Sequence, residues 1–175
     1  MKTIVVYKSK YGSAKTYANW IAEELSCEAV DTKNISAKDL MQYDKIVYGG
    51  GLYAEIIGGL FLITKNIELL KDKKIAVYST GITPLSCRDY YDKMVIEKNF
   101  KNGVPENVKV FNFMGKMIMD ELSVVHRSAL KTLKKIMSSK ENPTEMEKML
   151  VDLCDADGDF MDKTAIKELV DYIRN

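Results

Sequence analysis

Apolar residues follow two rhythms along this chain, and the switches between them outline the fold. Short continuous runs occur at Thr3–Tyr7, at Lys45–Tyr48 with Ile46-Val47-Tyr48, at Lys74–Tyr78 with Ile75-Ala76-Val77-Tyr78, and at Val108–Phe113. A weaker run spans Glu28–Asp31. Runs of this length, rich in β-branched and aromatic residues and ended by Ser, Thr or Gly, predict strands buried on both faces. Between them lie stretches of helical length at Ala14–Leu25, Gly58–Leu70 and Arg88–Lys101. Strands alternating with helices predict right-handed βαβ units, hence an α/β fold with a doubly wound parallel sheet.

After Phe113 the pattern changes. Met117, Ile118, Leu122, Val125, Leu130, Leu133, Ile136 and Met137 recur at spacings of three and four, which predicts one long amphipathic helix over residues 115–140. Pro143 stops it, and Thr144 with Glu147 three residues on reads as a capping box for a short helix at Glu145–Asp152. An acidic turn, Asp155–Asp159, then leads to a final helix from Asp162 to Arg174. No Pro-, Gly- or Ser-rich linker separates these pieces. The expectation is a single domain over residues 1–175 with a helical insertion at about 115–160.

Charge and cysteine content narrow the class. A formal net charge of +1 gives no global reason to expect nucleic acid. Cys27, Cys87 and Cys154 are far apart and odd in number, a poor disulfide framework and a poor metal site. A reducing cytoplasm is therefore expected, with no metal. The apolar start is too short for a signal peptide and no run approaches a membrane span, so any membrane contact is expected to be peripheral.

Candidate chemistry gathers where strands end. The first strand empties into Ser9–Lys15 and at once into a helix, so loop N–H groups and a helix N-terminus converge on one spot suited to a phosphate. Neither GxGxxG nor GxxxxGK[ST] is present, which leaves a hydroxyl-and-amide cradle. The next two strand ends carry Gly49-Gly50-Gly51-Leu52-Tyr53 and Ser79-Thr80-Gly81-Ile82-Thr83. Glycines there let backbone approach a flat ligand, with Tyr53 free to cover one face. A phosphate site beside a ring site suggests a mononucleotide.

Other residues receive bland readings. Trp20 is expected in the core, and Tyr90 and Tyr91 either reach a ring ligand or lie at an exposed helix start. His126, the one histidine, falls in the middle of the long helix and is assigned no role. Asp155-Ala156-Asp157-Gly158-Asp159 lacks the glycine and glutamate positions of a calcium loop. Cys87 lacks a resolving partner.

Val5-Val6-Tyr7, Ser9, Gly12 and Ala18 match the opening signature of the flavodoxin family, with Ala14 where that signature has Thr. Together with Tyr53 and Thr80-Gly81, they make the chain resemble that family over about residues 1–113 and 160–175. The resemblance implies a flavodoxin-like five-stranded sheet of order 2-1-3-4-5 and FMN held without a covalent bond. The implied cofactor-binding residues are Ser9, Lys10, Tyr11, Gly12, Ser13 and Ala14, then Gly50, Gly51, Leu52 and Tyr53, then Thr80, Gly81 and Ile82. Tyr53 would stack on the flavin, and backbone near Gly50–Leu52 would meet flavin N5. No catalytic side chain is needed by an electron carrier.

Two features depart from a generic carrier. The chain is nearly neutral where such carriers are acidic, and its insertion resembles that of menaquinone-dependent protoporphyrinogen dehydrogenases. Two functions follow from the resemblance: an FMN carrier between a reductase and an acceptor protein, or a dehydrogenase taking electrons from a porphyrin-type substrate to a quinone. A flavin-free binding module of the same fold is a third. Lys116, Arg127, Lys131, Lys134, Lys135 and Lys140 against Asp120 and Glu121 would let the 115–140 helix rest on an anionic membrane surface or a partner.

Overall fold

A computed structural model describes residues 1–175. The apolar runs become β1 (Thr3–Lys8), β2 (Ala29–Asp31), β3 (Lys45–Tyr53), β5 (Lys74–Gly81) and β6 (Val108–Met114), and β4 (Ile56–Ile57) is a short addition after β3. The five longer-range strands are parallel in the order β2-β1-β3-β5-β6, the expected sheet, with β4 folded back antiparallel on β3. Successive side chains of a strand point to opposite faces, so each central strand needs two apolar sets. Ile4, Val6, Ile46, Tyr48, Ile75 and Val77 fill one side, and Val5, Tyr7, Val47, Ala76 and Tyr78 fill the other.

Helices cover both faces. The first side takes Leu40 of α2 (Ala37–Leu40), Ile63 of α3 (Phe61–Thr64) and a π-helical turn, Tyr90–Val95, that continues into α4 (Ile96–Asn99). The second side takes α1 (Ser13–Leu25) through Tyr17, Ala18 and Ile21, and α7 (Lys167–Arg174) through Leu169, Val170 and Ile173. Trp20, expected in the core, is half-buried at its edge and packs edge-on against Tyr17.

Two predicted helices are corrected. Over Gly58–Leu70 only α3 is α-helical, because Gly58 and Gly59 finish the β3–β4 hairpin and Gly59 takes φ +74°. Over 115–140 the first third is not helical. β7 (Lys116–Met117) pairs antiparallel with β8 (Gly158–Asp159), and a tight 3-10 turn follows at Met119–Glu121. The helix α5 runs only from Val124 to Ser138, starting where the Ser123 hydroxyl accepts from the His126 N–H. It pairs with α6 (Glu145–Leu153), whose capping box from Thr144 and Glu147 is in place. No residue of α5 or α6 is fully buried. The acidic turn contributes β8, and Asp157 there accepts from the Met119 N–H at 3.0 Å.

Candidate functional site

In an open parallel sheet the crevice for a ligand lies outside the carboxyl ends of the strands, where neighbouring connections diverge to opposite faces. Here that point lies between β1 and β3. The register brings their ends level, with Lys8 beside Gly50, Gly51 beside Thr80, and Gly81 beside Met114.

The loop after β1 is built as an open cradle. Ser9 Oγ accepts from the Gly12 N–H at 3.0 Å, and Gly12 turns at φ +95°, a conformation that suits glycine. No side chain caps α1, and the N–H groups of Ser13, Ala14 and Lys15 donate to no acceptor in the protein. Three parallel donors at the positive end of a thirteen-residue helix favour an anion. Ala14 is 1% exposed, its side chain lies in the core, and its carbonyl accepts from the Tyr78 hydroxyl at 2.7 Å. What Ala14 offers a ligand is therefore its N–H. Ser13 Oγ accepts from the Lys116 N–H at 3.0 Å, so the start of the insertion forms part of the cradle wall.

The glycines of β3 serve packing more than ligand approach. A Cβ on Gly49 would lie 1.8 Å from Cζ of Tyr78, and one on Gly50 would lie 2.6 Å from the Gly58 carbonyl oxygen. Gly51 is covered by the Tyr53 ring, with Cε2 at 2.8 Å from the equivalent point. The expectation that Gly50 and Gly51 open the backbone to a flat ligand is thus corrected: protein atoms of the hairpin and of Tyr53 take that space. The hairpin turn itself places Ala54 and Glu55 at φ +47° and +62°, held by Asn99 donating to the Glu55 carbonyl and by a Lys98–Glu55 ion pair at 2.6 Å.

Leu52 and Gly81 do meet: a Cβ on Gly81 would stand 3.4 Å from Cβ of Leu52. Gly81 in turn accepts from the Gly115 N–H at 2.7 Å. Thr80 is buried and Ile82 half-buried at the end of β5. Tyr90 and Tyr91 are buried against the other sheet face, with Tyr91 donating to the Thr83 carbonyl, so neither reaches a ring ligand. Cys87 lies 3.3 Å from the Met149 sulfur, under α6.

Tyr11 of the cradle loop belongs to a cluster of three rings. Tyr11 and Tyr53 are 6.2 Å apart between centroids, and His126 lies 5.5 Å from Tyr11 and 5.2 Å from Tyr53. The Tyr11 oxygen is 2.8 Å from His126 Nδ1 and accepts from the Ser123 N–H at 3.2 Å. Lys10 reaches Ser123 Oγ at 3.4 Å and lies over the Tyr11 ring. Burial, then the neighbouring Tyr11, pushes the Tyr53 phenol up to about 12, so this ring stays neutral at physiological pH. Burial, then the charge of Lys10, holds the His126 imidazole below its ordinary value. His126 was invisible as a site residue because the apolar period ran through Ser123. Ser123 read as an N-cap would have placed the histidine in a first turn rather than in mid-helix.

A family model described as flavodoxin domain matches residues 4–146. The chain belongs to the flavodoxin-domain family. Among solved structures, a flavodoxin from the domain Archaea is 14% identical with TM-score 0.48, covering 100% of both chains. Oxidised flavodoxin 1 of Bacillus cereus is 18% identical with TM-score 0.45, over 65% of this chain and 84% of that one. A Fusobacterium nucleatum flavodoxin variant bound to flavin mononucleotide is 17% identical with TM-score 0.38, over 66% and 71%. No curated protein sequence matches this member of the flavodoxin-domain family. The family match includes α5 and ends at the start of α6, so the first part of the insertion lies within the matched span.

Proposed function

We propose that the protein binds FMN and carries electrons as a flavodoxin-type redox protein. The observation that carries this reading is the uncapped start of α1, where the N–H groups of residues 13–15 donate to no acceptor and follow directly on the loop whose Tyr11 meets Tyr53. These donors suit the FMN phosphate, and the Ser9–Gly12 bond fixes the loop that presents them. Tyr53, kept neutral, supplies a ring face for the isoalloxazine, and Leu52 with Gly81 supplies an apolar edge. Bound FMN would supply the electron chemistry, and the chain's own residues bind it, orient it and exclude water. Titrating FMN with the purified protein should quench flavin fluorescence at one equivalent and give a yellow complex that releases FMN on heating. A colourless protein that leaves the fluorescence unchanged would overturn the reading.

One observation favours a second reading, a flavin dehydrogenase that passes electrons from a porphyrin-type substrate to a quinone. Next to the crevice α5 exposes Val124, Val125 and Ile136 at 84%, 74% and 52%, with Lys131 and Lys135 also exposed on this helix. An apolar stripe bordered by lysines suits an anionic bilayer, where a quinone resides. No helix is long and apolar enough to cross a membrane, so such contact would be made from the side. This reading expects protoporphyrinogen-dependent reduction of a menaquinone analogue by the FMN-loaded protein. It also expects binding to anionic but not neutral vesicles, lost in Val125→Asp/Ile136→Asp. No turnover above the buffer rate leaves the carrier reading.

A further inference from the structure

We propose that His126, supplied by the insertion, is a ligand-binding residue of the cleft: its imidazole takes up a proton when a phosphate dianion occupies the α1 cradle. This rests on the FMN reading and adds to it a contact from outside the sheet. The argument starts from what surrounds the ring. Tyr11 faces it from the cradle loop through a 2.8 Å contact to Nδ1, Lys10 from the same loop raises the local positive potential, and Tyr53 faces it from the end of β3. On its own element, Ser123 holds its N–H, and Arg127 turns away to the carbonyls of Met119, Asp120 and Leu122. From the segment before α5, Glu121 is engaged by Lys116 at 3.3 Å. None of the groups in contact with the imidazole is a carboxylate.

An imidazolium there has no anionic partner within the protein, only the repulsion of Lys10. Tyr11, which His126 contacts, lies in the loop two residues before a helix start with three unclaimed N–H donors. A phosphate placed on those donors would supply the missing negative charge and reverse the local balance. Either protonation state keeps the Tyr11 contact. The neutral ring accepts the Tyr11 hydroxyl at Nδ1, and the imidazolium donates to that oxygen while the hydroxyl turns to Ser123 Oγ, 3.3 Å away. The proton can therefore be gained without moving α5. Nor can a flavin ring lie between Tyr53 and His126, since two aromatic gaps need roughly 7 Å and the centroids are 5.2 Å apart. His126 thus meets the ligand at its edge, as a charge.

His126 is the one histidine of the chain, so its C2–H proton resonance reports its titration directly. The experiment follows that resonance against pH in the free protein, with saturating FMN and with saturating riboflavin, which lacks the phosphate. FMN should raise the midpoint by about one unit and riboflavin should not. By linkage, FMN affinity should be about tenfold higher below the two midpoints than above them, relative to His126→Gln. Comparison with the Gln protein cancels the phosphate's own protonation. An FMN-bound midpoint equal to the free one, or an equal rise with riboflavin, overturns this proposal while leaving FMN binding intact. Absence of any flavin binding overturns the FMN reading itself, and the proposal with it.

Discussion

Tyr53 shows how one side chain is held at the cleft at little cost to the fold. Its ring lies over Gly51, touches Tyr11 and His126, and remains 37% exposed, so its removal deletes a surface wall and not a core contact. Tyr53→Ala should weaken FMN binding by about tenfold, ~1.4 kcal/mol, read by fluorescence titration, with the urea midpoint nearly unchanged. Equal affinity in the two proteins would mean that the ring does not stack. Gly49, four residues earlier, has the opposite role: its missing Cβ makes room for Tyr78, whose hydroxyl then holds the Ala14 carbonyl at the start of α1. The sequence presents both as members of one glycine-and-tyrosine strand end. Only the packing separates the residue that serves the core from the one that serves the cleft.

The cleft is assembled from elements that differ in how clearly the sequence announces them. The central parallel strands were legible because a strand buried on both faces has to carry a continuous apolar run, as β1, β3 and β5 do. The hairpin after β3 was not, because its turn uses Ala54 and Glu55 at positive φ in place of the Asn-Gly or Asp-Gly pair that signals such a turn. Its conformation is held from a distance by Lys98 and Asn99, which no local pattern reveals. The insertion was half legible: the periodicity of α5 was real, yet Met117, read as part of it, sits in β7. That difference matters for the site, since Gly115 and Lys116 bond to Gly81 and Ser13 while α5 reaches the cleft through Ser123 and His126. Replacing residues 125–153 by a Gly/Ser linker of about eight residues should therefore spare the sheet and lower FMN affinity by tenfold or less. Extending the deletion back to residue 115 should abolish binding, because it removes the wall behind Ser13. Unchanged affinity in the longer deletion would show that this wall is dispensable.

At the scale of the whole molecule, near-neutral charge and an asymmetric surface go together. The main sheet, the cradle and α5 all lie within the family-matched span, and the apolar stripe of α5 is exposed and unpartnered. The closing helix α7 adds a constraint of a different kind. Lys45, buried at the start of β3, donates to the carbonyls of Ile173 and Arg174 and so holds α7 against the strand. Yet residues 115–160 lie between β6 and α7 in the chain. During synthesis, one face of the finished sheet is covered by α1 alone until residues 166–173 have been made, so its β5 and β6 side, with Phe111, waits uncovered. Loop closure over such a segment costs little more than over a shorter one, since the entropy grows only with the logarithm of its length. The delay is the larger burden: it leaves part of an apolar sheet face open to chaperones and to other nascent chains, and the insertion's length sets how long that exposure lasts.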